Sequence, residues 1–251
     1  LDVKPSKFSS AMRSRGLCAA LVLVAAACSN PAQPIGGVMA IASPRLSVTR
    51  FLAFGDSITA GAIAGADGVT LSFVDPTLAY PGELQTSLRQ RYAAQPIVVV
   101  NDGLSGETAV DGAARLPAEL SRYHPQVVLL LEGVNDLHGR VGQDGFPPAL
   151  SALRIMIQQA NAAGAEVVVG TLPPAVPGAL FPSTVALIAP FNAELVPMAL
   201  ESGARVVDLH SALLADVANW IGPDGLHLSV AGYQKLAHVF FDSIQANFEA
   251  R

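Results

Sequence analysis

RFLAFGDSITAG, residues 50–61, changes character halfway along. Phe51 to Phe54, after Arg50, form a short apolar run of the kind that enters a sheet covered on both faces. Gly55 to Gly61 are mostly small or polar and read as the turn that follows such a strand. Ser57 therefore sits just past the end of a buried strand. A serine there can simply cap a turn or helix, or it can be a nucleophile presented at a sheet edge. The choice depends on what the rest of the chain brings to the same edge.

Four more runs resemble the first: Ile97–Val100, Val127–Leu131, Glu166–Val169 and Arg205–Leu209. Each is short and nearly continuous in β-branched and apolar residues, as expected of strands buried on both faces. Helical patterns separate them. Leu78–Tyr92 is one, and Glu107–Arg122 is another, expected to break at Pro117. Pro148–Ala163 stops at Gly164, and Thr184–Ser202 carries Pro190 and Pro197, which predict a kink or two shorter helices. The last helix starts after Ser229 as N-cap, with Tyr233, Leu236, Phe240, Ile244 and Phe248 as its apolar stripe. Five strands alternating with helices predict an α/β fold of three layers, α/β/α, around a five-stranded parallel sheet. Right-handed crossovers put all the strand C-termini on one edge, where open α/β sheets carry their sites.

The chain is 51% hydrophobic and 14% charged, which suits a domain with a large buried core. Its net charge of −5, with no cluster of Lys and Arg after the N-terminal segment, argues against a nucleic-acid partner. Residues 1–28 differ in character. Lys4, Lys7, Arg13 and Arg15 precede an apolar run from Leu17 to Ala27, too short to span a bilayer, which needs about 20 residues. The pattern predicts a secretory signal. Its end, Val24-Ala25-Ala26-Ala27-Cys28, resembles a bacterial lipoprotein signal, with Cys28 as the lipidated residue. That implies a secreted or cell-envelope protein whose contact with a membrane is an N-terminal lipid anchor. Residues 29–48, rich in Pro, Gly, Ala and Ser, read as a flexible tether, and 49–251 as the folded domain. Cys18 and Cys28 are the only cysteines, so the domain has no Cys nucleophile and no Cys-based metal site. No metal or cofactor is expected: no ligand cluster is evident, and neither a dinucleotide fingerprint nor a phosphate loop follows the first strand.

Ester hydrolysis needs a nucleophile, a base and oxyanion donors. Among the histidines, His124 precedes a strand at the wrong edge and His238 lies inside the last helix. His227, in PDGLHLS, has Asp224 three residues earlier, a spacing at which the loop can fold the carboxylate onto the imidazole. Asp208 with His210 is a rival pair, also at a strand end. Gly103 in NDGLSGET and Asn135 in EGVND follow the second and third strands. Each is either a turn residue or a donor, Gly103 through its N–H and Asn135 through its amide.

Taken in order, GDSITAG, NDGLSGET, GVND and DGLH resemble the four blocks of the SGNH, or GDSL-type, hydrolases. The resemblance runs over roughly residues 50–248. It implies a flavodoxin-like fold and an esterase or lipase, a serine hydrolase acting on a small-molecule ester. It also implies a triad of Ser57, Asp224 and His227, with Ser57 and Gly103 N–H groups and the Asn135 amide around the oxyanion. Acyl transfer and carbohydrate deacetylation use the same triad and stay open, as does a non-catalytic surface-binding protein. The apolar connection after the nucleophile, with Ile63 and Phe73, is a candidate acyl wall, together with Trp220 and the Pro-rich run 172–183. The low aromatic content, 6%, favours lipid-like or simple acyl esters over polysaccharide substrates.

Overall fold

The computed structural model describes residues 43–138, 142–178 and 180–250. The signal segment, Cys28 and residues 29–42 of the tether lie outside the described residues. The sheet strands are β1 (Arg50–Gly55), β4 (Val98–Gly103), β5 (Val127–Leu131), β6 (Glu166–Gly170) and β7 (Arg205–Val207). They lie in the order β4-β1-β5-β6-β7, and every pairing is parallel. The chain reverses its winding direction between β1 and β5, which makes the C-terminal ends of those two strands the switch point of the sheet. All five residues of β5 are buried, as its unbroken apolar run requires.

Helices cover both faces. On one, α2 (Tyr80–Arg91) packs against α8 (Val230–Phe248); on the other, α3 (Ala109–Tyr123) packs against α4 (Phe146–Ala162), which in turn meets α5 (Val185–Glu201). Ser229 caps α8 by accepting from Gly232 N–H at 3.0 Å, and the expected stripe from Tyr233 to Phe248 is buried. Short elements fill the connections: α1 (Ser57–Ala60), a hairpin of β2 (Ala62–Ala64) and β3 (Leu71–Phe73), α6 (Leu209–Leu214) and α7 (Val217–Trp220). Among the described residues no helix is long and apolar enough to cross a membrane.

Four expectations need correction. Helix α3 continues through Pro117. A proline has no N–H for the carbonyl four residues back. Here that carbonyl, Ala113 O, accepts instead from Gln159 Nε2 of α4 at 3.1 Å. Helix α5 likewise runs as one element through Pro190 and Pro197. Both prolines, and Ala186 and Ala193 whose carbonyls they leave free, face solvent, where water satisfies the carbonyls. Strand β7 stops at Val207 because Asp208 caps α6, accepting from Ser211 N–H at 3.0 Å. Finally, the domain starts before residue 49. Leu46 is buried, exchanges two hydrogen bonds with the Gln95 side chain (2.7 and 2.9 Å) and bridges to Glu249, so this end of the tether is pinned.

Candidate active site

Ser57 is the first residue of α1, immediately after β1. Asp56 caps that short helix, its carboxylate accepting from Ile58 N–H at 2.9 Å. The turn is tight because α1 lies directly on the end of β4. At Gly103 an added Cβ would stand 2.6 Å from both Ala60 Cα and Thr59 C, closer than any real contact allows. Glycine at 103 is therefore what lets the helix that carries Ser57 seat against the sheet.

Ser57 Oγ lies 2.9 Å from His227 Nε2, and His227 Nδ1 lies 2.5 Å from Asp224 Oδ2; all three residues are buried. Asp224 Oδ1 also accepts from the N–H groups of Leu226 (3.1 Å) and His227 (3.0 Å). Burial pushes the Asp224 carboxyl upward, but the bonds from the imidazole and these backbone donors outweigh it and hold it below its ordinary value. An ionised carboxylate only accepts, so His227 Nδ1 carries the proton and Nε2 is left to accept from Ser57. The Pro-rich run after β6 braces this loop. Val176 N–H donates to Gly225 O at 2.9 Å, and Gly225, at φ 90°, has no room for a side chain against Val176 O and Gly178. The rival pair does not meet Ser57: Asp208 caps α6, and among the described residues no hydrogen bond joins the His210 ring to Ser57, whose Oγ meets His227.

Asn135 opens the turn after β5, and its Nδ2 donates to Glu107 O at 2.8 Å, its second N–H having no partner among the described residues. Asp136 Oδ2 accepts from Ala109 N–H at 2.8 Å, so the turns after β4 and β5 are tied together.

Gly103 is not placed as the sequence suggested. Val98 and Leu104 N–H groups point from β4 to β1, onto Thr49 O and Gly55 O. Backbone N–H groups alternate along a strand, so those of the odd residues point to the open edge of the sheet. Val99 N–H is taken there by Gln85 Oε1 (3.0 Å) and Gly103 N–H by Asn101 Oδ1 (3.1 Å). The Gly103 N–H thus faces away from Ser57. The turn beyond it offers a second candidate donor, one that the sequence reading did not name. Gly106 has φ 82°, open space around its Cα, and an N–H with no partner among the described residues. It lies next to Glu107, whose carbonyl holds Asn135. Both glycines stand in the same stretch, NDGLSGET, so the sequence holds this second candidate as well.

Three buried acids surround the nucleophile's turn. Burial pushes Asp56 up to about 7, against the pull of Ile58 N–H and the His227 charge. Glu132, after β5, is driven well above its ordinary range by burial, then by the charges of Asp56 and Glu107. Glu107 itself is held by Arg115 through two contacts, at 2.7 and 2.6 Å.

The expected acyl wall is only partly assembled. Ile63 pairs with Ser72 and Ala62 with Phe73, so Ile63 and Phe73 lie on opposite faces of the hairpin and do not line one wall together. Phe73 is 56% exposed, while Ile63 is half-buried against the core. Trp220 is half-buried at the end of α7, with its carbonyl accepting from Ser229 N–H. The Pro-rich run supplies the closest aromatic. Phe181 meets the His227 ring edge-on at 5.8 Å and stacks on His138 at 4.5 Å. His138 Nδ1 bonds Thr184 Oγ1 at 2.8 Å, which fixes that stack.

Residues 53–235 match the sequence pattern of the GDSL-like lipase/acylhydrolase family. An arylesterase of Vibrio mimicus is 33% identical over 121 residues, 47% of this chain and 52% of that protein. The thioesterase 1/protease 1/lysophospholipase L1 of Escherichia coli K12 is 34% identical over 117 residues, 46% of this chain and 47% of that protein. The matches thus span about half the length of these curated relatives. Among solved structures, the M. smegmatis aryl esterase superposes with a TM-score of 0.64 at 21% identity, covering 79% of this chain and 99% of that one. Est24, a carbohydrate acetylesterase from Sinorhizobium meliloti, gives 0.63 at 21% identity over the same shares. These structural likenesses establish the fold.

Proposed function

The chain belongs to the GDSL-like lipase/acylhydrolase family, and from that premise we propose that it is a serine hydrolase that cleaves carboxylic esters through an acyl-enzyme on Ser57. The observation that carries this reading is the unbroken chain Ser57 Oγ, His227 Nε2, His227 Nδ1, Asp224 Oδ2, with links of 2.9 and 2.5 Å. Ser57 Oγ attacks the acyl carbonyl as its proton passes to His227 Nε2. The imidazolium that forms is stabilised and oriented by Asp224. Negative charge on the carbonyl oxygen is met by the Ser57 N–H, the Gly106 N–H and the free Asn135 amide hydrogen. Collapse expels the alcohol, which takes the proton from His227. Water then repeats the sequence on the acyl-enzyme and releases the acid.

Simple acyl or lipid-like esters suit the site best, because the ring against His227 is Phe181 and the hairpin after the nucleophile exposes Leu71 and Phe73. The relatives bearing the names arylesterase and thioesterase/lysophospholipase agree with that class. The basic and then apolar residues 4–27 support export to the cell envelope, with Cys28 as a lipid anchor.

Ser57→Ala tests the reading. It should abolish hydrolysis of p-nitrophenyl acetate while leaving the melting temperature within a few degrees of the parent. Retained turnover refutes Ser57 as nucleophile. Product analysis with added alcohol acceptors separates hydrolysis from acyl transfer by the same intermediate.

A further inference from the structure

Residues 103–106 connect the end of β4 to Glu107, whose carbonyl holds Asn135, and nothing in so short a glycine-containing segment makes it rigid by itself. Its two ends are held by one side chain. Arg115, on the second turn of α3, donates from Nη1 to Asp102 Oδ2 at 2.7 Å and from Nη2 to Asp102 O at 3.1 Å. The same guanidinium donates from Nε and Nη2 to the two carboxylate oxygens of Glu107, at 2.7 and 2.6 Å. Its Cζ is 4.0 Å from the centre of the Phe54 ring, which belongs to β1 just before Ser57. Only a planar fork makes both sets of bonds at once; an ammonium is a point charge and cannot.

We infer that Arg115 is the positioning residue of the oxyanion loop. By bracketing residues 103–106 between Asp102 and Glu107, it sets the direction of the Gly106 N–H. Through Glu107, whose carbonyl accepts from Asn135 Nδ2 at 2.8 Å, it also sets the direction of the Asn135 amide. One guanidinium, touching no substrate, thereby orients two of the three donors. Preorganised donors stabilise a transition state only when aimed where the charge develops. Loosening this fork should lower turnover and leave ground-state binding almost unchanged.

This inference rests on the ester-hydrolase reading above. Its test therefore starts from protein in which Ser57→Ala has been shown to abolish p-nitrophenyl ester hydrolysis; if that control fails, the reading of the site falls, and not this inference alone. Arg115→Met should lower kcat about 10- to 100-fold, with KM within about threefold of the parent. Arg115→Lys should fall between the two. Affinity for a phenylboronic acid, which places a tetrahedral adduct on Ser57, should weaken in proportion to kcat/KM. Because Arg115→Met leaves Glu107 buried without its partner, that variant can be unstable. The double variant Arg115→Met with Glu107→Gln removes the more deeply buried of the two charges that Arg115 holds, leaving the more exposed Asp102. It should recover the melting temperature without recovering kcat. Parental kcat in Arg115→Lys or in the double variant overturns the inference, as does a loss that falls on KM alone.

Discussion

Gly103→Ala separates the two roles that a glycine after β4 can have. If Gly103 served only as an N–H donor, alanine would keep the donor and change little. The structure predicts otherwise. The new methyl would lie 2.6 Å from Ala60 Cα and from Thr59 C, whereas ordinary contact begins near 3.4 Å. Both atoms are backbone, so no rotamer change relieves the clash, and α1 must retreat by about 1 Å. Ser57 moves with it. The 2.9 Å bond to His227 then opens to nearly 4 Å, outside hydrogen-bonding reach. A displacement of about 1 Å at a reacting group costs about 100-fold in rate, and overpacking at a backbone contact costs about 1–3 kcal/mol of stability. Steady-state hydrolysis of p-nitrophenyl acetate and urea unfolding would measure both. An alanine variant with parental kcat and an unchanged midpoint would refute the argument, because it would mean that α1 is not seated on β4 as described.

Asn135→Ala removes one oxyanion donor and also frees Glu107 O, so kcat should fall on the order of 10²–10³-fold in the same ester assay; a change confined to KM would argue for a binding role. The buried Asp56 makes a prediction about pH. Its native value is about 7 against an unfolded value near 3.9, so between those limits the folded protein holds a proton that the unfolded chain has lost. Stability from this group is therefore greatest below about pH 4 and declines as pH rises to about 7. Asp56→Asn keeps a capping oxygen for Ile58 N–H but cannot ionise. Its stability relative to the parent should increase between pH 4.5 and pH 8 by a few kcal/mol, measured by denaturant unfolding at each pH. A difference that is flat or declines with pH would show that Asp56 ionises freely in the native protein.

The order of strands and helices was legible because each leaves a local trace: an unbroken apolar run in β1 or β5, a cap and stripe in α8. Ser57, Asn135, Asp224 and His227 were legible for a related reason. Each follows directly from a strand end or a short loop, so its place at the sheet edge follows from the chain's direction. The prolines of α3 and α5 misled, because their cost depends on what surrounds the freed carbonyls. Gln159 from another helix meets one, and solvent meets the others, which sequence spacing does not reveal.

The amino-acid sequence alone determined a doubly covered parallel sheet and the four segments that meet at its edge, since hydrophobic periodicity and strand-end polarity are properties of neighbours along the chain. Tertiary structure decided which glycine keeps an unengaged N–H after β4. The direction of an N–H is set by which neighbouring strand its residue pairs with, so Gly103 donates outward to Asn101 while the Gly106 N–H is left unengaged. It also decided that the carboxyls of Asp56 and Glu132 are pushed upward and that Arg115 grips both ends of one loop, because burial and long-range ion pairs arise only when distant segments are packed together.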